Sequence, residues 1–218
     1  MIVDEELEQA LSLERFSRYL SWAGGDRRRA LDLYALNTRL SEALYVPLQV
    51  LEVALRNRVH AVLAEHKGCR WFEEPDLLIG PYQREQVTAA LLDLARQRKE
   101  ATPGRVVAAL TLSFWTTMLG KPYENLWQTD LHRIARREDG KGLTRKSLSV
   151  PLTPIRLLRN RIAHHEPILF WDLEKHHSAI LQITVWLSPA AASWCRSLDR
   201  FSQVFPSERL VLQDGDGA

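Results

Sequence analysis

Pro154-Ile155-Arg156-Leu157-Leu158-Arg159-Asn160-Arg161-Ile162-Ala163-His164-His165-Glu166-Pro167 is the stretch from which the rest of the chain is read. Ile155, Leu158 and Ile162 recur at the i, i+3, i+7 spacing of one helix face, while polar residues fill the rest of the wheel. The segment therefore predicts a helix with an apolar side and a polar flank. Taking Ile155 as zero, the wheel positions are roughly 40° for Arg159, 80° for Ala163, 100° for Arg156, 140° for Asn160 and 180° for His164. Pro167 pushes Glu166 out of the helical region, so the helix is expected to stop at about His165, with both histidines in its last turn. Taken singly, an arginine at a core edge usually snorkels or pairs with a carboxylate, and a histidine at a helix C-terminus is often only a cap. Taken together, an Arg, an Asn and a His on one arc beside the small Ala163 fit a phosphate site.

Arg159, Asn160 and His164, an arginine, a polar neighbour and a histidine five positions after the arginine, resemble the signature of the HEPN superfamily of ribonucleases. The longer string RNRIAHHEPI at 159–168 resembles the Abi-like (abortive infection) branch. LEVALRNRV at 51–59, PGRVVAALTLSFW at 103–115 and the spaced Trp127 and Leu131 agree, so the likeness runs from Leu11 to Trp194. Ser113-Phe114-Trp115 departs from the family's more glycine-containing version, and the basic loop that follows is variable there; neither touches the proposed site. The resemblance implies an all-α, HEPN-like bundle and a metal-independent endoribonuclease acting in abortive infection or as a toxin-type phage defence. It also implies a homodimer in which the motif helices of two protomers form a composite active site, and it allows an antitoxin or other regulatory partner.

The 218 residues are 45% hydrophobic and 26% charged, enough for one domain with a real core. A formal net charge of only +2 excludes a generally basic nucleic-acid binder, so attraction to phosphate must come from local clustering. Cys69 and Cys195 are too few for a disulfide framework or a zinc-finger set and read as free thiols. Met1 to Glu8 is acidic rather than basic and then apolar, and no apolar run approaches the roughly 20 residues of a membrane span. No membrane association and a cytoplasmic location are expected.

Apolar spacing and Gly/Pro punctuation predict eight to nine helices: 5–23, 26–45, 47–66, 82–99, 105–119, 123–137, the motif helix, 172–187 and 189–205. These are assigned to a single domain over 1–210, with 211–218 as a disordered tail. The break between the second and third helices is placed at Val46-Pro47. The third helix carries Glu52, Arg56 and His60 four residues apart as one polar stripe. Two readings stand for Glu52–Arg56: an internal salt bridge, or residues that orient the active site from behind. The family resemblance favours the second for Glu52, Arg56 and Asn57.

Arg133 to Lys146 is the one strongly biased segment, with Arg133, Arg136, Arg137, Lys141, Arg145 and Lys146 against Glu138 and Asp139. It reads either as a solvated loop or as an RNA contact lying just before the motif helix. His176-His177 together with His164-His165 raises a metal site, but adjacent histidines point to different faces and no carboxylate set joins them, so no metal and no cofactor are expected.

The proposed partner is RNA, whose own 2′-OH supplies the nucleophile, so the protein needs only to move a proton and stabilise charge on the phosphate. Imidazole, which titrates near about 6.5 in water, suits the first task, and a guanidinium fork suits the second. His164 is assigned proton transfer, Arg159 the phosphate, and Asn160 the orientation of the imidazole or substrate. Arg156, Arg161, His165 and Glu166 are supporting candidates. The competing reading is a non-catalytic helical module that binds RNA or protein.

Overall fold

Leu40, Leu44, Leu48, Leu51, Leu55, Val59 and Leu63 form a continuous, almost fully buried seam along one helix. That helix is the longest element of the chain. The computed structural model describes residues 2–207 and 210–213. In chain order the helices are α1 (Ile2–Ala10), α2 (Leu13–Trp22), α3 (Arg27–Lys67), α4 (Pro81–Arg96), α5 (Pro103–Ala109), α6 (Leu112–Thr117), α7 (Glu124–Thr129), α8 (Arg145–Ala163), α9 (Leu173–Leu187), α10 (Pro189–Leu198) and α11 (Phe201–Val204). The fold is all-α, with no strand among the described residues.

α3 corrects the sequence reading. The expected break at Pro47 does not occur, and one helix of 41 residues replaces two. Proline removes one backbone hydrogen bond and crowds the preceding turn, a cost of about 3 kcal/mol. Here Pro47 lies on the buried face between Leu44 and Leu48, where burial of a single large aliphatic side chain contributes about 1.5–3 kcal/mol. Several such residues on either side of Pro47 keep the seam, and hence the helix, continuous. α2, α9, α10 and α11 pack against α3, and α8 lies against α6, α9 and α3.

Four other expected helices are shorter than their apolar patterns suggested, the segment 189–205 dividing at Asp199 and Arg200 into α10 and α11. The segment 5–23 divides at Ser12, whose φ of 72° is left-handed. The segment 105–119 divides at Thr111, whose hydroxyl accepts the Phe114 N–H and starts α6. The segment 123–137 ends its α-helical part at Thr129. Asp130 is buried there, and its carboxylate takes the Thr129 hydroxyl at 2.6 Å and the His66 Nδ1 at 2.5 Å. Burial pushes the Asp130 carboxyl up, but those two hydrogen bonds and the charge on His66 and Lys67 outweigh it and hold it below its ordinary value.

The core beside the C-terminal part of α3 is aromatic, with Trp71, Phe114 and Trp115 in mutual edge or tilted contact. The Trp71 indole N–H donates to His60 Nδ1 at 3.0 Å, and burial lowers the His60 pKa. Cys69 and Cys195 are both free thiols. Among the described residues, no helix is long and apolar enough to cross a membrane. Residues 211–213 lie back on the bundle, where the Arg29 guanidinium donates to the Val211 carbonyl and the Gln213 N–H to the Trp22 carbonyl. The remainder of the expected tail, 214–218, lies outside the described residues.

The basic run is also corrected. Arg145 and Lys146 are not loop residues but the first turn of α8, which Thr144 caps by accepting the Ser147 N–H. Arg145 is buried, with its Nε 2.6 Å from a Glu124 carboxylate oxygen and an Nη donating to the Leu119 carbonyl at 2.7 Å. It fastens α8 to the α6–α7 region and cannot face an RNA strand. Arg145→Met should therefore lower the melting temperature by several degrees, the equivalent of about 1–3 kcal/mol for an abandoned buried acceptor. Thermal melts beside Lys146→Ala, which should melt like the parent, check this.

Candidate active site at the C-terminal end of α8

α8 crosses α3 where Arg159 meets Glu52, with Nε 3.3 Å from Oε2. Glu52 is 16% exposed and Arg159 38% exposed at the side chain, so the pair sits at the rim of the bundle rather than in its interior. Beside it opens a cleft of 260 Å³ lined by Tyr45, Glu52, Arg56, Arg159, Ile162 and Ala163 among others. Arg56 reaches over to α5 and donates to the Ala108 carbonyl at 3.2 Å. The polar stripe of α3 is thus not an internal ion pair. Glu52 pairs across to α8, Arg56 bonds α5, and His60 bonds Trp71.

Glu52 engages the Nε of Arg159, and the planar guanidinium still carries four Nη hydrogens for an anion approaching from the cleft. Orienting the fork from one edge reduces what must be ordered when a phosphate binds. Asn57 is not part of this arrangement. It lines a neighbouring hollow with Val50, Ala191 and Trp194, divided from the cleft by Gln49 and Val53, which border both.

The helix ends two residues earlier than its sequence suggested. Ala163 is the last helical residue, and His164 is the cap, with φ −96° and ψ 9°. The His165 N–H donates to the Ile162 carbonyl at 3.1 Å, and the Glu166 N–H to the Arg161 carbonyl at 2.8 Å. These are the paired bonds of a Schellman ending, which requires a left-handed residue between them and usually takes glycine. Here it is His165, with φ 57°.

The two histidines consequently part company. His164 is exposed at the helix tip and does not line the cleft, while His165 borders a groove on the other side of Ile162 and Ala163 with Thr38, Glu42 and Arg200. Asn160 is half-buried, and its carbonyl accepts the His164 N–H at 2.9 Å. Arg156 is half-buried on α8 outside the cleft. The arc expected to join Arg159, Asn160 and His164 around Ala163 is therefore split: the cleft takes Arg159 and Ala163, because α3 covers that side of α8.

Arg161 and Glu166 hold the turn rather than line the cleft. Arg161 Nε donates to the Pro167 carbonyl at 3.0 Å, its Nη lies 3.3 Å from Glu166, and its guanidinium stands 5.1 Å from the Phe170 ring centroid. One further positioning residue escaped the sequence reading. Asn37, buried on α3, accepts the Ile168 N–H on its Oδ1 at 2.7 Å and so pins the loop that follows the motif. The available signal was an amide set between Leu33 and Leu40 on an otherwise apolar seam.

Of the basic run, Arg133 bonds His66 and pairs with Glu65, and Arg137 and Lys141 both approach Asp139. Arg136 and Lys146 are exposed. The run lies at the opposite end of α8 from His164, about 28 Å away at 1.5 Å per residue, so it is not adjacent to the motif as the chain order suggested. Among the described residues, no three His, Cys, Asp or Glu side chains gather into a metal-holding group. No family model, curated protein or solved structure matches the chain.

A left-handed non-glycine residue costs about 1 kcal/mol, and such strain persists where the side chain is needed. His165→Gly should therefore raise the melting temperature by roughly 2–4 °C in a chain of this size. Calorimetry checks it, and an unchanged or lowered melting temperature would mean that imidazole contacts outweigh the strain.

Proposed function

We propose that this chain is a metal-independent endoribonuclease of the HEPN type, acting in an abortive-infection or toxin-like defence role as a homodimer. The observation that carries this reading is the oriented Arg159 guanidinium at the rim of a cleft, with His164 exposed five residues further along the same helix. Arg159 grips the nonbridging oxygens of a phosphodiester, and Glu52 holds the fork in place. An imidazole takes the proton of the ribose 2′-OH, whose oxygen attacks phosphorus. The P–O5′ bond breaks, O5′ receives a proton, and the products are a 2′,3′-cyclic phosphate and a 5′-hydroxyl. Asn160, one turn before His164 on the same helix, is assigned to orient the imidazole or the substrate through its side-chain amide.

Within one chain, His164 does not line the Arg159 cleft, a point that favours the alternative of a non-catalytic RNA- or protein-binding module. A second copy answers it. Val150 and Leu157 are 66% and 45% exposed on the outward side of α8, an apolar strip leading to His164 that suits a two-fold contact between motif helices. Such a contact brings the exposed His164 side chains of two copies to one seam, one imidazole to act as base and one as acid.

His164→Ala should reduce single-turnover RNA cleavage by about a hundredfold or more while RNA affinity stays nearly constant. Arg159→Ala should weaken both, and Arg159→Lys should restore little, because a point charge does not reproduce the fork. Leu157→Asp should yield a folded monomer, by light scattering, with activity reduced in parallel. Activity of His164→Ala that falls only in proportion to its unfolded fraction, or a fully active monomer, contradicts this reading.

A further inference from the structure

Beside the turn that ends α8, the chain carries a ladder of aromatic rings flanked by guanidinium groups that the phosphate chemistry leaves unused. Arg18 stands 5.8 Å from the Trp22 ring centroid, Trp22 lies 6.0 Å from Phe170, Arg161 stands 5.1 Å from Phe170, and Phe170 lies 6.3 Å from Trp171. Phe170 is 51% exposed even with a guanidinium over its ring. What sets Phe170 apart from other exposed apolar side chains is the guanidinium and the indole rings that border it.

The ladder is rigid and tied to the motif. Arg161 occupies the last turn of α8 and also holds the Pro167 carbonyl, while Asn37 pins Ile168 two residues before Phe170. Trp22 is fixed by an edge contact to the buried Tyr19 and through its carbonyl by the Gln213 N–H. Cations gather on the α2 and α8 side of the ladder. Arg15, Arg18 and Arg161 all act on the Tyr19 phenol, which burial and the neighbouring Tyr34 nonetheless push well above its ordinary value. The nearby acids are Glu14 in the first turn of α2, Asp172 and Glu174, which line a hollow with Phe170 on its α9 side, and Glu166, which is paired with Arg161.

Exposed aromatic faces bordered by guanidinium groups are the chemistry that receives nucleobases, and only an unpaired strand can offer base faces to them. We infer that Phe170, flanked by Arg161 and Trp22, is a base-stacking platform that seats an unpaired nucleotide of single-stranded RNA beside the α8 tip. The inference rests on the ribonuclease reading for its choice of strand and adds what selects it. A duplex keeps its bases stacked on one another and gains nothing from the platform. One nucleotide stacks on Phe170, and its phosphates run toward the cationic α8 turn.

Fluorescence anisotropy with a short single-stranded RNA and its abasic counterpart, in the His164→Ala background to prevent turnover, tests the platform. Phe170→Ala should weaken binding of the intact strand by about tenfold, Phe170→Trp should bind like the parent, and the abasic strand should bind weakly and ignore both changes. Equal affinity of Phe170→Ala for the intact strand, or equal loss on the abasic strand, overturns the platform. Cleavage by the His164-bearing chain together with Phe170-independent binding removes the platform alone. Base-dependent binding without cleavage removes the ribonuclease reading alone, and absence of RNA binding removes both.

Discussion

The apolar seam of α3 is the constraint on which the rest of the structure depends. Leu40, Leu44, Leu48, Leu51, Leu55, Val59 and Leu63 bury their side chains almost completely, so the helix runs through Pro47 rather than stopping there. A straight helix of 41 residues is about 60 Å long, long enough to present separate polar groups to several neighbours. Asn37 fixes the loop after the motif, Glu52 orients Arg159, Arg56 ties α5, and His66 meets Asp130. A break at Pro47 would uncouple Asn37 from Glu52, and with it the loop on one side of the motif from the cleft on the other.

The end of α8 shows why its two histidines cannot be read alike. Two backbone bonds close the turn, one to Ile162 and one to Arg161, and both depend on the left-handed conformation of His165. His164 keeps a near-helical geometry and projects from the tip; His165 turns toward the other groove. Arg161 completes the turn by bonding Pro167, pairing with Glu166 and covering part of Phe170. A single guanidinium thus joins the helix ending to the aromatic ladder, which is why the proposed chemistry and the proposed base platform share one rigid unit.

Much of this was legible in the sequence, and the reasons for the rest are physical. Helical periodicity gave the all-α class and the buried face of the motif helix, since Ile155 and Leu158 are fully buried. Residue spacing alone did not reveal that Pro47 lies on the buried face, where packing outweighs a lost hydrogen bond. Nor did it show that Arg145 is buried: a charge run looks solvated until Glu124, distant in sequence, is placed beside it. The Arg159–Glu52 pair joins residues 107 positions apart, and the helical wheel, which knows only one helix, put His164 on the same arc as Arg159. Asn37 was the one site-positioning residue with a local signal, an amide on a leucine face, and it passed unread.

The central claim is that the RNA supplies its own nucleophile and that histidine and arginine side chains do the rest. The most direct measurement is the end chemistry of cleavage by the purified chain, in chelator, on matched RNA strands with ribose or 2′-deoxyribose at the cut. The account predicts cleavage of the ribose strand to a 2′,3′-cyclic phosphate and a 5′-hydroxyl, and none at 2′-deoxy positions. Cleavage of the deoxy strand, products bearing a 3′-hydroxyl and a 5′-phosphate, or activity that appears only with added divalent ions would contradict it.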